Sequence, residues 1–475
     1  MSLLNSAKWN GVSQFAKILI QVVNMVYLAT IIPPTEYGIM AMAAVVINFG
    51  ILLRDLGTAS AIIQRKSISN EIINAIFWLN VFVGLCLFVF FMVAAGIISD
   101  IYKQPKLEYV LMSLSVTFPL SSIAAAHLAL LERHSLFKKI AFIEVGTSLL
   151  SLVVAIFFAK LGYGVYSLVA QAIFMSLLSA IMFWIFSEWK PSLPKRTEIK
   201  ELKSVFSFSA NLSAFNFINY FSRNADSFII GKYMTAFVLG NYNLAYRIML
   251  FPLSSLTFVF GRSLYPLLSR HQDDKAYSKR VYLDCVFIIL LLTFPLMTGI
   301  AILSSPFVLT VFGYQWSLTP QILVWLAPTA ILQSIVSTTG AVLTSQNRTG
   351  LLLALGTFGS CIMVSSFIVG ANFNIIMFAK LYFIANIINF FPPIYISFKL
   401  LGIHFVDFIK LIWPIPTSTV IMLFSVKLLL NSNFFYSSYS QVLFFGTLLG
   451  IITYSFSIYS LSPKFRSWIM ALTKK

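Results

Sequence analysis

The sequence predicts an all-α polytopic membrane protein of about fourteen transmembrane helices. They form two six-helix lobes in a parallel repeat around a central cavity, with two extra C-terminal helices and both termini cytoplasmic. Three observations predict this. First, the 475 residues are 59% hydrophobic and only 10% charged, with a mean hydropathy of +0.88, whereas soluble domains carry roughly 25% charged residues. Second, the apolar runs last about 20–25 residues, the length of helix that crosses a bilayer, and they lack the alternation of an outer-membrane barrel. Third, a polar stripe occurs twice at one helical spacing: Gln14, Lys17, Gln21 and Asn24, then Asn216, Asn219, Arg223 and Asp226.

Each span follows from an apolar run between short connections. The first, 8–31, carries the first stripe, and the second, 38–62, holds Arg54 and Asp55 in its cytoplasmic half. The third, 72–99, includes Cys86, and the fourth, 107–131, includes Pro119. The fifth and sixth, 141–161 and 165–187, precede the longest connection, EWKPSLPKRTEIKELKSV. The seventh, 206–231, carries the second stripe, and the eighth, 238–268, holds Arg247 and Pro252. The ninth to eleventh, 280–303, 321–345 and 351–371, contain Pro295, Pro328 and Cys361. The twelfth, 375–400, begins near Lys380 and contains Pro392 and Pro393. The last two, 408–430 and 441–461, complete the set. The connections leave no room for an extramembrane domain, and the N-terminus has no signal-peptide layout.

Loop charge orients the chain. The N-terminus, the loops after even-numbered spans and the C-terminus carry 21 Lys and Arg, while the opposite loops carry 4. Lys and Arg accumulate on the cytoplasmic side, which puts both termini there. The same asymmetry accounts for most of the formal charge of +18 without a nucleic-acid partner.

The two stripes lie 202 residues apart, as do Gly38 and Gly240, Ala43 and Ala245, and Phe49 and Phe251. Farther along, Leu120, Ser122 and Ile123 match Leu332, Ser334 and Ile335 at an offset of 212. Six spans per copy is an even number, so the copies share an orientation. The predicted division is a first lobe over 1–200, a second over 201–402, and the two added spans with a tail over 403–475.

Steps of three, four and three residues place each stripe within about 80° of one helix face. Polar groups inside a membrane face a bundle interior or a wet cavity. The stripes therefore look into one shared space. The inner charges Lys17, Arg54, Arg223, Arg247 and Lys380 are positive, and Asp55 and Asp226 are negative. Cations facing a common low-dielectric space favour an anion, and neighbouring amides suit sugar hydroxyls. Local readings compete. Lys380 is within snorkelling reach of the interface, and Arg223 stands three residues from Asp226, close enough to pair with it. Asp226 is also a candidate for a coupling proton or sodium ion.

No sequence pattern of an enzyme is found: HExxH, GxSxG and a phosphate loop are missing. Cys86, Cys285 and Cys361 and the four His are scattered, so neither a metal site nor a disulfide framework is expected. No cofactor is expected.

Three segments carry a family resemblance. They are Arg54-Asp-Leu-Gly57 with Ala61-Ile-Ile-Gln-Arg-Lys66, then Ser222 to Gly231 leading to Leu239 to Arg247, and Gly261 to Arg270 with Gln272-Asp-Asp274 and Thr293-Phe-Pro-Leu-Met297. With these the chain resembles the polysaccharide-transporter branch of the multidrug/oligosaccharidyl-lipid/polysaccharide flippase superfamily, nearest to Wzx-type exporters of the colanic acid kind. The resemblance covers most of residues 1–400. It implies twelve core helices in two lobes around a V-shaped cavity, with the first and seventh helices lining it. It also implies transport of undecaprenyl-pyrophosphate-linked repeat units across the bacterial inner membrane for O-antigen, capsule or exopolysaccharide synthesis, with the pathway's polymerase as a possible partner. Two other readings stand beside it. A cation-coupled multidrug exporter of the same fold is expected to carry more cavity acids, and a membrane polymerase or ligase needs a large outer loop with catalytic residues. The longest outer loop, about 304–320, has no acid, base or His.

Overall fold

The computed structural model describes residues 3–55, 62–63, 68–193, 220–221, 223–431 and 438–473. Every regular element among them is helical, and twelve helices are long and apolar enough to cross a membrane. These correspond to the first six and the last six predicted spans. The predicted seventh span lies largely outside the described residues. The eighth falls within one 35-residue helix, Ala236–Arg270, whose side chains over 253–262 are also outside them. Contacts divide the chain into two compact units, Met1–Gly240 and Asn241–Lys475.

In the first unit, α1 (Leu3–Ile31) gives way to α2 (Pro34–Asp55). Pro34 opens α2, where a missing N–H costs nothing. Ser69 accepts a hydrogen bond from the Ile72 N–H and so starts α3 (Asn70–Tyr102), 33 residues long. The predicted fourth span is two helices, α4 (Pro105–Ser115) and α5 (Thr117–Arg133). Pro119 explains the break, because it cannot donate to the carbonyl of Ser115 four residues earlier. Gly162 and Gly164, at φ +83° and +54°, turn α6 (Phe137–Lys160) into α7 (Val165–Phe186).

A membrane offers no hydrophobic drive between helices, so close packing does the work. Leu28 of α1, with Ile32 just past its end, packs with Ala155 and Ala159 of α6. Trp9 of α1 lies 5.4 Å from the Lys138 ammonium at the start of α6. Early contacts early and late contacts late, so α1 and α6 run parallel, as two odd-numbered spans must. Residues 223–233 are also helical.

The second unit holds most of α8 (Ala236–Arg270), with Pro252 and Pro266 inside it. Asp274 caps α9 (Lys275–Ile302) by accepting from the Tyr277 N–H. The stretch read from sequence as an outer loop is instead ordered, as α10 (Ser304–Val311) and a 3₁₀ turn, Tyr314–Trp316. Trp316 is fully buried and fixes that turn, a tertiary effect no local pattern reveals. Then come α11 (Thr319–Ser345), α12 (Thr349–Gly370) and α13 (Ile375–Leu401), which ends at Gly402 with φ +65°. Short α14 (Phe405–Ile412) meets α15 at Pro414, and α15 (Pro414–Asn431), α16 (Tyr439–Leu461) and α17 (Pro463–Thr473) finish the chain. Ion pairs Lys279–Asp407 and Lys464–Asp284 tie α9 to α14 and α17.

Candidate functional site

The first stripe lies along α1 as the spacing requires. Gln14 and Gln21 are exposed, while Lys17 and Asn24 are half-buried. The Lys17 ammonium does not stand alone: Nζ is 2.7 Å from Oε2 of Glu144 on α6. Glu144 was missed in the sequence reading, although a carboxylate in the second turn of an apolar span is a visible signal. The pair is only partly enclosed, with side-chain exposures of 28% for Lys17 and 34% for Glu144. Two turns farther along α1, the side-chain oxygen of Asn24 is buried and has no hydrogen-bond partner among the described residues. A cation, two exposed amides and an unsatisfied acceptor thus occupy one face of one membrane-length helix.

Arg54 ends α2, half-buried and engaged by a partner. Asp55 is the last residue of α2, and its side chain is outside the described residues. Of the second stripe, Asn216 and Asn219 also lie outside them. Arg223 is exposed. Asp226 is buried at 5% exposure, and its Oδ1 accepts from the Ser227 N–H at 2.6 Å. No ion pair joins Arg223 to Asp226 among the described residues, so the local bridge that their spacing permits is not formed.

Arg247 and Lys380 belong to the second unit. Arg247 is exposed on α8 and has a partner. Lys380 is half-buried on α13, with its ammonium 5.1 Å from the centre of the Trp325 ring, a cation–π contact. Nearby on the same helices, Gln333 donates to the Tyr382 hydroxyl at 2.8 Å and to Asn386 Oδ1 at 3.0 Å. Neither Gln333 nor Asn386 figured in the sequence reading, because single amides in apolar runs lack the repeated spacing that exposed the stripes.

The second unit also contains an apolar groove of about 480 Å³ between α9, α15 and α16. Leu292, Leu296, Met422, Val426, Gly450 and Ile451 are among its walls. Among the described residues, no group of His, Cys, Asp and Glu is placed to hold a metal ion.

Known proteins resemble this chain over most of its length. Residues 27–319 match the family described as polysaccharide biosynthesis protein. The teichuronic acid biosynthesis protein TuaB of Bacillus subtilis (strain 168) is 25% identical over 401 residues, 82% of this chain and 80% of that protein. The lipopolysaccharide biosynthesis protein WzxC of Escherichia coli (strain K12) is 25% identical over 414 residues, 86% of this chain and 84% of that protein. Among solved structures, the lipid II flippase MurJ in an inward closed conformation superposes with a TM-score of 0.76 at 16% identity, covering 97% of this chain and 99% of that one. That last likeness concerns the fold.

Proposed function

Because this chain belongs to the polysaccharide biosynthesis protein family, we propose that it is a flippase for undecaprenyl-pyrophosphate-linked oligosaccharide repeat units. It works in the bacterial cytoplasmic membrane, with both termini in the cytoplasm, and moves its substrate by alternating access between lobes 1–200 and 201–402. It is a transporter rather than an enzyme. Its partners are the lipid-linked glycan, membrane lipids and the polymerase of the same pathway.

Lys17 carries the reading. A lysine on an exposed polar stripe inside a membrane-length helix is expensive unless it serves a ligand or a partner. Its carboxylate partner leaves both side chains about a third open. The lipid pyrophosphate supplies an anion for Lys17, and the glycan supplies hydroxyls for Gln14, Gln21 and Asn24. The exposed Arg223 offers a second cation. The apolar groove suits an isoprenoid chain, and the added helices α15 and α16 build two of its walls.

The test is complementation of a strain lacking the gene. Such cells should lose surface polymer and accumulate lipid-linked repeat units on the cytoplasmic side. The parent gene should restore polymer, and Lys17→Ala should not. Normal polymer in the deleted strain, with new sensitivity to cationic dyes, would replace this reading by a drug exporter of the same fold.

A further inference from the structure

The Lys17–Glu144 pair poses a question that the flippase reading leaves open. If Lys17 receives the substrate's pyrophosphate, a carboxylate already occupies it at 2.7 Å. Two roles are open to Glu144. It either fastens α1 to α6 permanently, or it holds the cation until the substrate arrives.

Three features favour the second role. The pair is not sealed: about a third of each side chain is open, so separating the two does not strand a charge in packed protein. Only Oε2 of Glu144 is engaged, and Oε1 has no hydrogen-bond partner among the described residues. The carboxylate is therefore held by a single contact. The α1–α6 seam is also fastened elsewhere, by Trp9 under Lys138 and by Leu28 among Ala155 and Ala159, so it does not depend on the ion pair.

The charged surroundings are sparse. Helix α6 packs against α1, α5 and α7. From α5 come Glu132, a like charge that Glu144 repels, and Arg133, which donates to the Ile62 carbonyl, and α7 carries no charged residue. On α6 itself, Lys138 lies over Trp9, Lys139 reaches the Phe186 carbonyl at 3.5 Å, and Lys160 is at the far end. Lys17 is the cation bonded to Glu144.

We propose that Glu144 is a displaceable counter-ion that occupies Lys17 in the empty protein and yields it to the pyrophosphate of the lipid-linked substrate. This rests on the flippase reading above. A pyrophosphate diester carries two negative charges against one on the carboxylate, and attraction to Lys17 scales with that charge. The lipid tail confines the headgroup to the membrane and raises its effective concentration at the site. A small soluble anion lacks that confinement and must compete with a tethered carboxylate. Glu144 thereby sets a threshold that refuses free phosphates and accepts the lipid-borne one.

The experiment compares parent, Glu144→Gln and Lys17→Ala full-length proteins in lipid nanodiscs, with undecaprenyl pyrophosphate and inorganic pyrophosphate as probes. Displacement predicts that Glu144→Gln binds undecaprenyl pyrophosphate about two- to five-fold more tightly, the scale of one partly exposed charge interaction. It also predicts that inorganic pyrophosphate competes in Glu144→Gln at concentrations that leave the parent unaffected. Lys17→Ala should bind undecaprenyl pyrophosphate more weakly than the parent, and inorganic pyrophosphate should not compete in it. A folded Glu144→Gln that binds as the parent does, or more weakly, overturns the proposal. A second measurement needs no variant: with glutamate labelled by carbon-13, the parent's carboxylate infrared band should shift when undecaprenyl pyrophosphate is added, and an unchanged band overturns the proposal. If the parent binds no undecaprenyl pyrophosphate at all, the flippase reading falls with it. Parent binding without tightening in Glu144→Gln removes the counter-ion role alone.

Discussion

Gly38 and Gly240 sit on opposite sides of one helix crossing, and each makes room for the other helix's backbone. A Cβ on Gly38 would lie 1.7 Å from the Ala236 carbonyl oxygen, and a Cβ on Gly240 would lie 1.9 Å from that of Pro34. Positions 34 and 38 become 236 and 240 under the 202-residue offset of the repeat. The two contacts are therefore counterparts of one another at the 202-residue offset. In each helix the carbonyl comes from the first residue and the glycine from four residues on.

Alanine at either glycine should accordingly be costly. Both distances are to main-chain oxygen, which cannot rotate away as a side chain can. Overpacking of this kind costs about 1–3 kcal/mol. Gly38→Ala and Gly240→Ala should each lower the melting temperature by a similar amount. The double variant should fall by less than the sum, since one separation of the helices relieves both clashes. Thermal unfolding of the purified proteins checks this, and a Gly38→Ala protein that melts like the parent contradicts it.

Glu36 should matter for stability and not for substrate. Its carboxylate accepts from Lys106 Nζ at 2.6 and 2.8 Å and from the Val165 N–H at 2.9 Å. It thus joins the starts of α2, α4 and α7. Removing it leaves an amide and an ammonium without their acceptor. With Lys106 39% exposed, solvent screens part of the loss, and about 1–3 kcal/mol is expected. Glu36→Ala should melt earlier, while the polymer made per folded molecule stays at the parent level. Quantitative immunoblots read beside surface polysaccharide measure both.

These cases show what was legible. Span positions were readable because the bilayer demands long apolar runs, whereas the break between α4 and α5 was not, because the apolar run 107–131 continues through Pro119. The stripe was readable because Lys17 and its amides repeat with helical period. The Lys17–Glu144 pair was not, because 127 residues separate the partners and a single carboxylate has no period. The ordering of 304–320 escaped for a similar reason: Trp316 is buried by tertiary packing, and that packing leaves no local pattern.

Arg223 should behave as a ligand-facing cation. It is exposed, and no ion pair holds it among the described residues. Arg223→Ala should abolish surface polymer while leaving the amount of membrane protein unchanged. Arg223→Lys keeps the charge but loses the planar fork that grips phosphate oxygens in pairs, so it should retain partial function. A fully active Arg223→Ala removes this residue from the substrate path. The buried Asp226 is tested separately: transport by reconstituted protein that ignores both proton and sodium gradients excludes it as a coupling site.

The apolar groove makes the last prediction, and its size follows from the solvent. An isoprenoid tail leaving lipid for a protein groove gains no hydrophobic free energy, since both surroundings are apolar. The groove can only orient the tail through fit. A Cβ on Gly450 would meet Val426 at 3.6 Å and Met422 at 3.7 Å, ordinary contact distances, so Gly450→Ala should transport like the parent. Gly450→Phe drives a ring against Val426 and Met422; it should slow transport by about ten-fold, or 1.4 kcal/mol, and lower the melting temperature through overpacking, so rates are compared per folded molecule. Rates measured with fluorescent lipid-linked glycan in proteoliposomes decide the matter. If Gly450→Phe flips substrate at the parent rate, the tail stays in the bilayer throughout and only the headgroup enters the protein.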